Sequence, residues 1–319
     1  MKKLIAWGNS KLLQMYLLKI KNKPFAYVID NFTNKTEIAG IPILKSDALA
    51  VEKPDTFCVV IFAVSNASLQ AILHQLNQMG LRYGKEYLLY SDYFLNNFME
   101  NFRHRLGWLP NRNLYNYSLS FTLNSRKLIH TTILGTWLFL EIIKKTSGVK
   151  GEIAELGAYE GGNVLCALNF ANILGFPTRK YYIFDSFEGF PDLSKYDPLI
   201  FKKGDYNTNV SFQEICDNFA MFSNALVIKG YIPETFTQIP ESTHFSLVFY
   251  DCDLYKPALD TYKYFWDKIT SGGYLLIHDY ETEPGGFTGV KKATDEFFYG
   301  KEISIISFTE NTMAVIKKP

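Results

Sequence analysis

Three groups of residues in this 319-residue chain have types and spacings that could do chemistry. The first is the glycine loop of residues 151–162, Gly-Glu-Ile-Ala-Glu-Leu-Gly-Ala-Tyr-Glu-Gly-Gly. A strand, a glycine turn and a helix in succession let the backbone come close to a bound cofactor, because a Cβ would block the approach or forbid a positive φ. The order Glu-x-Gly-x-x-x-Gly-Gly is not a phosphate-binding P-loop, since no Gly-Lys-Ser/Thr follows, and it is not Gly-x-Gly-x-x-Gly. The second is Asp185, which ends the apolar run Tyr181-Tyr182-Ile183-Phe184. A carboxylate at the end of the second strand of a doubly wound sheet is placed to accept hydrogen bonds from a ribose diol. The bland alternative is a helix N-cap or a solvated turn acid. The third is a pair of clusters, Asp251-Cys252-Asp253 and His278-Asp279. Carboxylate oxygens suit magnesium, with Asp251 and Asp279 the best ligands. The His278 imidazole is a poor magnesium ligand and a better one for manganese, zinc or iron. It could instead be a general base, a partner that orients a ligand, or simply packed, and Asp253 could cap the following helix at 255–267.

These residues need strands that end on one side. Residues 153–156, 181–184, 225–228, 245–250 and 274–277 are short apolar runs, with a helix-like run at 163–174. Strands alternating with helices imply an open parallel sheet, whose ligands bind outside the carboxyl ends of the strands. Gly157, Asp185 and both acid clusters would then face one crevice. The run at 245–250, Phe-Ser-Leu-Val-Phe-Tyr, delivers Asp251, and Tyr274–Ile277 would deliver His278. The polar stretch between Phe190 and Asn224 is long enough to be a lid or an acceptor-binding loop. A helix at 125–145, with apolar Leu128, Ile129, Ile133, Leu134, Trp137, Leu138, Leu140 and Ile142, leads into the glycine-loop strand.

Four motifs in order, Glu155-Leu-Gly157, Asp185-Ser-Phe-Glu-Gly-Phe-Pro191, Asp251-Cys-Asp253-Leu-Tyr255 and Gly272-Gly273-Tyr-Leu-Leu-Ile-His278-Asp279-Tyr280, resemble the macrocin O-methyltransferase family over residues 113–319. The resemblance implies a class I methyltransferase Rossmann-like sheet, S-adenosyl-L-methionine as cofactor, magnesium or another divalent metal, and methyl transfer to a sugar hydroxyl. It implies a cofactor site of Glu155, Gly157, Tyr159, Gly161, Asp185, Ser186, Phe187, Gly230, Tyr231 and Asp251. The implied metal ligands are Asp251, His278 and Asp279, with Asp251 and His278 as catalytic residues. Two positions depart from the family. His278 stands where a second acid is usual, and Tyr231 stands by the adenine where many relatives have an acid. The proton acceptor is left open between Asp251 and His278, with His244 third at the far end of its strand.

The N-terminal part reads as a second, smaller Rossmann-like α/β domain. Residues 2–7 form a strand, Gly8-Asn9-Ser10 a turn, and a helix runs to Ile20. A strand at 25–29 ends in Asp30, residues 38–44 make a connecting turn, and strand 58–64, helix 68–79 and strand 87–90 follow. Only Gly8 of a dinucleotide glycine pattern is present, so a scaffold, a dimerisation unit or a docking module is expected rather than a nicotinamide site. The expected domains are 1–92, a connecting or capping segment at 93–125, and 126–319.

Composition narrows the classes. A net charge of +1 with balanced acids and bases gives no nucleic-acid stripe, and 47% hydrophobic content supports a large core. Four scattered cysteines, Cys58, Cys166, Cys216 and Cys252, form no metal finger or disulfide framework. With no signal peptide and no apolar span long enough for a bilayer, a cytoplasmic protein is expected. The expected partner is a glycan, nucleotide-sugar or glycoside acceptor, and a homo-oligomer is expected. The competing class is a non-catalytic or regulatory binding protein that keeps this fold.

Overall fold

Apolar runs of about five residues, most of them followed by a helix, build two α/β units. The computed structural model describes residues 2–63, 66–124, 133–208, 210–281, 288–307 and 312–319. The chain divides into Met1–Glu100 and Asn101–Pro319.

In the first unit, β1 (Lys3–Trp7), α1 (Lys11–Lys19), β2 (Phe25–Ile29), β3 (Glu37–Ile38), β4 (Ile41–Leu44), β5 (Phe57–Ile61), α2 (Asn66–Gln78) and β6 (Tyr87–Leu89) follow in order. The sheet order is β3-β4-β2-β1-β5-β6, parallel except for β3 against β4. Every residue of β5, Phe-Cys-Val-Val-Ile, is buried, as a parallel strand covered on both faces requires. Residues 38–44, expected as a turn, instead hold β3 and β4. The alternation of buried Ile41 and Ile43 with exposed Pro42 and Leu44 makes β4 a half-buried strand too short to stand out in the sequence. The Asp30 carboxylate accepts from the amides of Phe32 (2.8 Å) and Thr33 (2.9 Å) in its own turn and from the amide of Asn9 (3.1 Å) in the turn after β1.

Residues 93–125, read as a connecting segment, are largely helical. A short turn of helix, α3 (Tyr90–Tyr93), precedes α4 (Leu95–Leu106), within which the division between units falls, and then α5 (Arg112–Asn124). Phe102 stacks on Trp137 at 4.7 Å and Tyr115 meets it edge-on at 5.4 Å. Trp137 lies on α6 (Ile133–Lys145), whose residues 133–143 are all buried. The earlier part of the expected helix, with Leu128 and Ile129, lies outside the described residues. Glu141 of α6 accepts from the amide of Asn111 and from Trp137 Nε1 (3.0 Å), which ties the start of α5 to α6.

The second sheet is built from β7 (Glu152–Leu156), α7 (Gly162–Leu174), β8 (Tyr181–Asp185), α8 (Phe212–Phe219), β9 (Ala225–Lys229), β10 (Phe245–Tyr250), α9 (Tyr255–Phe265), β11 (Ile269–Ile277), α10 (Thr288–Phe297), β12 (Ser304–Ser307) and β13 (Thr312–Lys317). Its order is β12-β13-β11-β10-β7-β8-β9, with β13 antiparallel to both neighbours and the rest parallel. This is the class I methyltransferase Rossmann-like arrangement that the four motifs imply. The strand order reverses between β7 and β10, and ligands bind at that switch point. All six residues of β10 are buried. Edge-to-face aromatic contacts, Phe184 with Phe236 (6.1 Å) and Phe245 with Phe265 (5.0 Å), fill one face, and Phe139 of α6 packs on Phe249 (5.6 Å) on the other. Burial of each such ring contributes about 1.5–3 kcal/mol. The four cysteines are unpaired. Among the described residues, no helix is long and apolar enough to cross a membrane.

Candidate active site

The site starts where β7 ends. Gly157 has φ +85°, and a Cβ there would lie 2.0 Å from the backbone oxygen of Asp251, so only glycine lets the end of β10 pass this close. The amides of Gly157 and Ala158 both donate to the carbonyl of Phe184 (2.9 and 3.0 Å), which turns the chain across the end of β8. Asp185 then ties the loops together. Its Oδ2 accepts from the Tyr159 amide (2.8 Å) and its Oδ1 from the Phe187 amide (2.7 Å). Burial pushes its carboxyl up to about 6, with Asp251 adding to the rise and the backbone amides opposing it. Tyr159, Phe187, Tyr206, Asp253 and Asp279 all have φ between +48° and +62°. Left-handed non-glycine residues cost about 1–3 kcal/mol each and gather where structure serves a site.

Gly157, Tyr159, Asp185, Ser186, Gly230 and Tyr231 line one cleft. Ile232, Cys252 and Pro257 supply a less polar wall, and Phe190, Pro191 and Tyr206 a third side. The other expected cofactor residues sit behind this surface. Gly161 caps α7 in a left-handed conformation, and Phe187 is buried against Phe212 at 5.3 Å. Glu155 is buried too. Its Oε1 accepts from Asn163 Nδ2 (2.7 Å), whose Oδ1 accepts from Thr136 (2.8 Å), so a buried polar chain runs from α6 through α7 to β7. Burial pushes its carboxyl up to about 8, with the Asn163 bond opposing and the charges of Asp251 and Asp185 adding.

The second cluster stands at the ends of β10 and β11. His278 Nδ1 lies 2.9 Å from Asp251 Oδ1 and 3.0 Å from Asp279 Oδ2. One donor atom from each of Asp251, His278 and Asp279 falls within 4.8 Å of the others, a set that could hold a metal ion. Burial lowers the His278 imidazole, but the charges of Asp251 and Asp279 outweigh it and lift the ring well above its ordinary value. Asp251 is raised by burial, against the pull of His278. Asp253 is raised well above the usual carboxylate range by burial, by the charges of Asp279 and Asp251, and by a side-chain hydrogen bond to Asp279. The Tyr206 phenol is raised by burial and then by Asp253, Asp279 and Asp251, so a residue of the cleft wall also borders the acids. His244 lies at the opposite end of β10, exposed, with its ring bonded to Ser242.

Asp253 does not cap α9. The amide of Tyr255, the first residue of that helix, donates to Asp197 Oδ1 (2.7 Å), and Asp197 Oδ2 accepts from the Ser194 amide (2.7 Å). Asp197 and Tyr206 belong to the stretch read as a lid or an acceptor-binding loop, and sequence reasoning gave neither a role of its own, while Phe190 and Pro191 entered only as part of the second motif. The signal was Gly189, whose Cβ would meet the carbonyls of Gly204 and Asp205 at 2.5 and 2.6 Å, so the segment folds back on itself beside the cleft.

The macrocin-O-methyltransferase (TylF) family profile matches residues 139–309. Demethyldecarbamoylnovobiocin O-methyltransferase of Streptomyces niveus is 24% identical over 160 residues, 47% of this chain and 59% of that one. The 8-demethyl-8-(2,3-dimethoxy-alpha-L-rhamnosyl)-tetracenomycin-C 4'-O-methyltransferase of Streptomyces olivaceus is 22% identical over 142 residues, 42% of this chain and 54% of that one. The chain thus spans just over half the length of these relatives. The solved structure of the O-methyltransferase NovP covers 72% of this chain and 99% of its own at 18% identity, with a TM-score of 0.49.

Proposed function

The chain belongs to the macrocin-O-methyltransferase family, and from that premise we propose that it transfers a methyl group from S-adenosylmethionine to a sugar hydroxyl with the help of a divalent cation. The observation that supports this most is Asp185, a half-buried carboxylate facing the same cleft whose wall residue Tyr206 borders Asp251, Asp253 and Asp279. Asp185 accepts from the ribose diol, for which its oxygens keep free lone pairs beyond the two amide bonds. Gly157 and Gly230 let the ligand approach the backbone, and Tyr231, Ile232 and Pro257 cover the adenine. The curated relatives named above act, by their names, on glycosylated natural products in one case and novobiocin precursors in the other, which supports a glycoside or nucleotide-linked sugar as acceptor.

The cofactor, when bound, supplies a methyl group on a positively charged sulfur. The acceptor oxygen attacks that carbon in line, the carbon–sulfur bond breaks to leave a neutral thioether, and the hydroxyl proton must go elsewhere. Asp251 and His278 are the proton acceptors expected from sequence, and Asp253 stands beside them. Asp251, His278 and Asp279 would hold the cation, which lowers the pKa of a coordinated hydroxyl. Orientation of the hydroxyl between this cluster and the cleft contributes several kcal/mol in its own right.

Calorimetric titration with S-adenosylhomocysteine tests the reading, with and without divalent cation, on wild type and Asp185→Ala. Micromolar binding lost in the variant is expected, followed by methyl transfer from labelled cofactor to a panel of glycosides and nucleotide-sugars. Absence of binding to wild type sinks the proposal. Binding without turnover on any acceptor moves the chain to the class of regulatory binding proteins.

A further inference from the structure

The ends of β10 and β11 offer two carboxylates and one imidazole, and the imidazole decides which ion fits. We propose that the cation held by Asp251, His278 and Asp279 is a first-row transition ion such as manganese(II), not magnesium. This inference rests on the methyl-transfer reading only for its purpose, since the donor set stands without it. Magnesium takes oxygen donors almost alone, whereas manganese, iron and cobalt accept imidazole nitrogen beside carboxylates. His278 Nδ1 stands 2.9 Å from Asp251 Oδ1 and 3.0 Å from Asp279 Oδ2, and one donor atom from each of the three residues falls within 4.8 Å of the others, close enough to share one ion.

The ring is held in that position. The His278 amide donates to the Tyr250 carbonyl (2.9 Å), and the ring meets Phe249 edge-on at 6.3 Å, which Phe139 backs in turn. Ligands fixed by such supporting contacts hold a metal 10–100-fold better than loose ones, as an order of magnitude. The rival account of the same distances is that the imidazole is itself the cation between two carboxylates, and the test separates the two.

Full-length protein is loaded with manganese(II) and examined by pulsed electron paramagnetic resonance, with manganese and magnesium affinities measured by calorimetry on wild type, His278→Gln and His278→Asp. The expected result is nitrogen modulation from one imidazole in wild type, absent in both variants. Manganese affinity falls at least about tenfold in His278→Gln, while His278→Asp gains magnesium affinity relative to manganese. Manganese bound without nitrogen modulation, or no manganese bound at all, overturns the proposal, and the wild-type spectrum decides even if a variant fails to fold. S-adenosylhomocysteine binding to the same metal-free wild type keeps the two readings apart. Its failure defeats methyl transfer and leaves the metal assignment standing, whereas S-adenosylhomocysteine binding without nitrogen modulation defeats the metal assignment alone.

Discussion

Asp185 shows how one side chain joins structure to ligand. Its two oxygens already order the glycine loop and the turn after β8, so the loops are in place before a ribose arrives. Asp185→Asn removes the charge from these bonds, and charge-assisted bonds are worth about 1.5–3 kcal/mol. Affinity for S-adenosylhomocysteine is therefore expected to drop about 10–100-fold by calorimetry. Because its carboxyl is raised to about 6, affinity for the cofactor product should also weaken as pH falls below that value. Glu155 makes a separate prediction about stability. With its folded value at about 8 against an ordinary 4.5, the folded chain holds the proton more tightly than the unfolded chain. Its contribution is full below 4.5 and is lost as pH rises through about 8. Glu155→Gln should therefore flatten the fall of melting temperature between these two pH values. A parallel shift of the two melting curves at every pH would refute the ionised cost.

At the scale of elements, the site depends on two strand ends passing within contact distance and on a loop pinned to a helix. Gly157→Ala drives a Cβ into the backbone of Asp251, and neither strand can yield without moving the acid cluster. The expected cost is about 1–3 kcal/mol, read as a lowered melting temperature together with lost cofactor-product binding. A variant that kept both would show that the strand ends have room. Asp197 clamps the 190–206 segment to the start of α9 and serves as a cap contributed from a distance. Asp197→Ala should cost about 1 kcal/mol and speed tryptic cleavage after Lys202 and Lys203. Unchanged cleavage would mean that Phe190, Phe201 and Tyr206, which pack on one another, hold the segment unaided.

For the whole molecule, every residue lining the cleft and the acid cluster belongs to the unit Asn101–Pro319. A fragment of residues 101–319 should therefore fold and bind S-adenosylhomocysteine with an affinity close to that of the full chain. A fragment that melts cooperatively yet does not bind would assign the first unit a part in the cofactor site. In that first unit only Gly8 of a dinucleotide glycine pattern is present, so titration with a nicotinamide cofactor should show no heat.

The strands that deliver Gly157, Asp185, Asp251 and His278 were legible in the sequence because each is a short apolar run buried on both faces, and burial writes itself into composition. The chemical types at their ends were legible for the same reason, since a charged or glycine residue that breaks such a run is conspicuous. Strand β4 was not legible, because four residues with two facing inward carry too little periodicity. The helices at 95–124 were obscured by aromatic and asparagine residues whose helical conformation depends on packing against Trp137 and the rest of α6. Only the tertiary structure could decide that Asp197 rather than Asp253 caps α9, that Tyr206 walls the cleft, and that the His278 ring stands between two carboxylates. Those facts rest on distances between residues far apart in the chain, and local residue type sets no such distance.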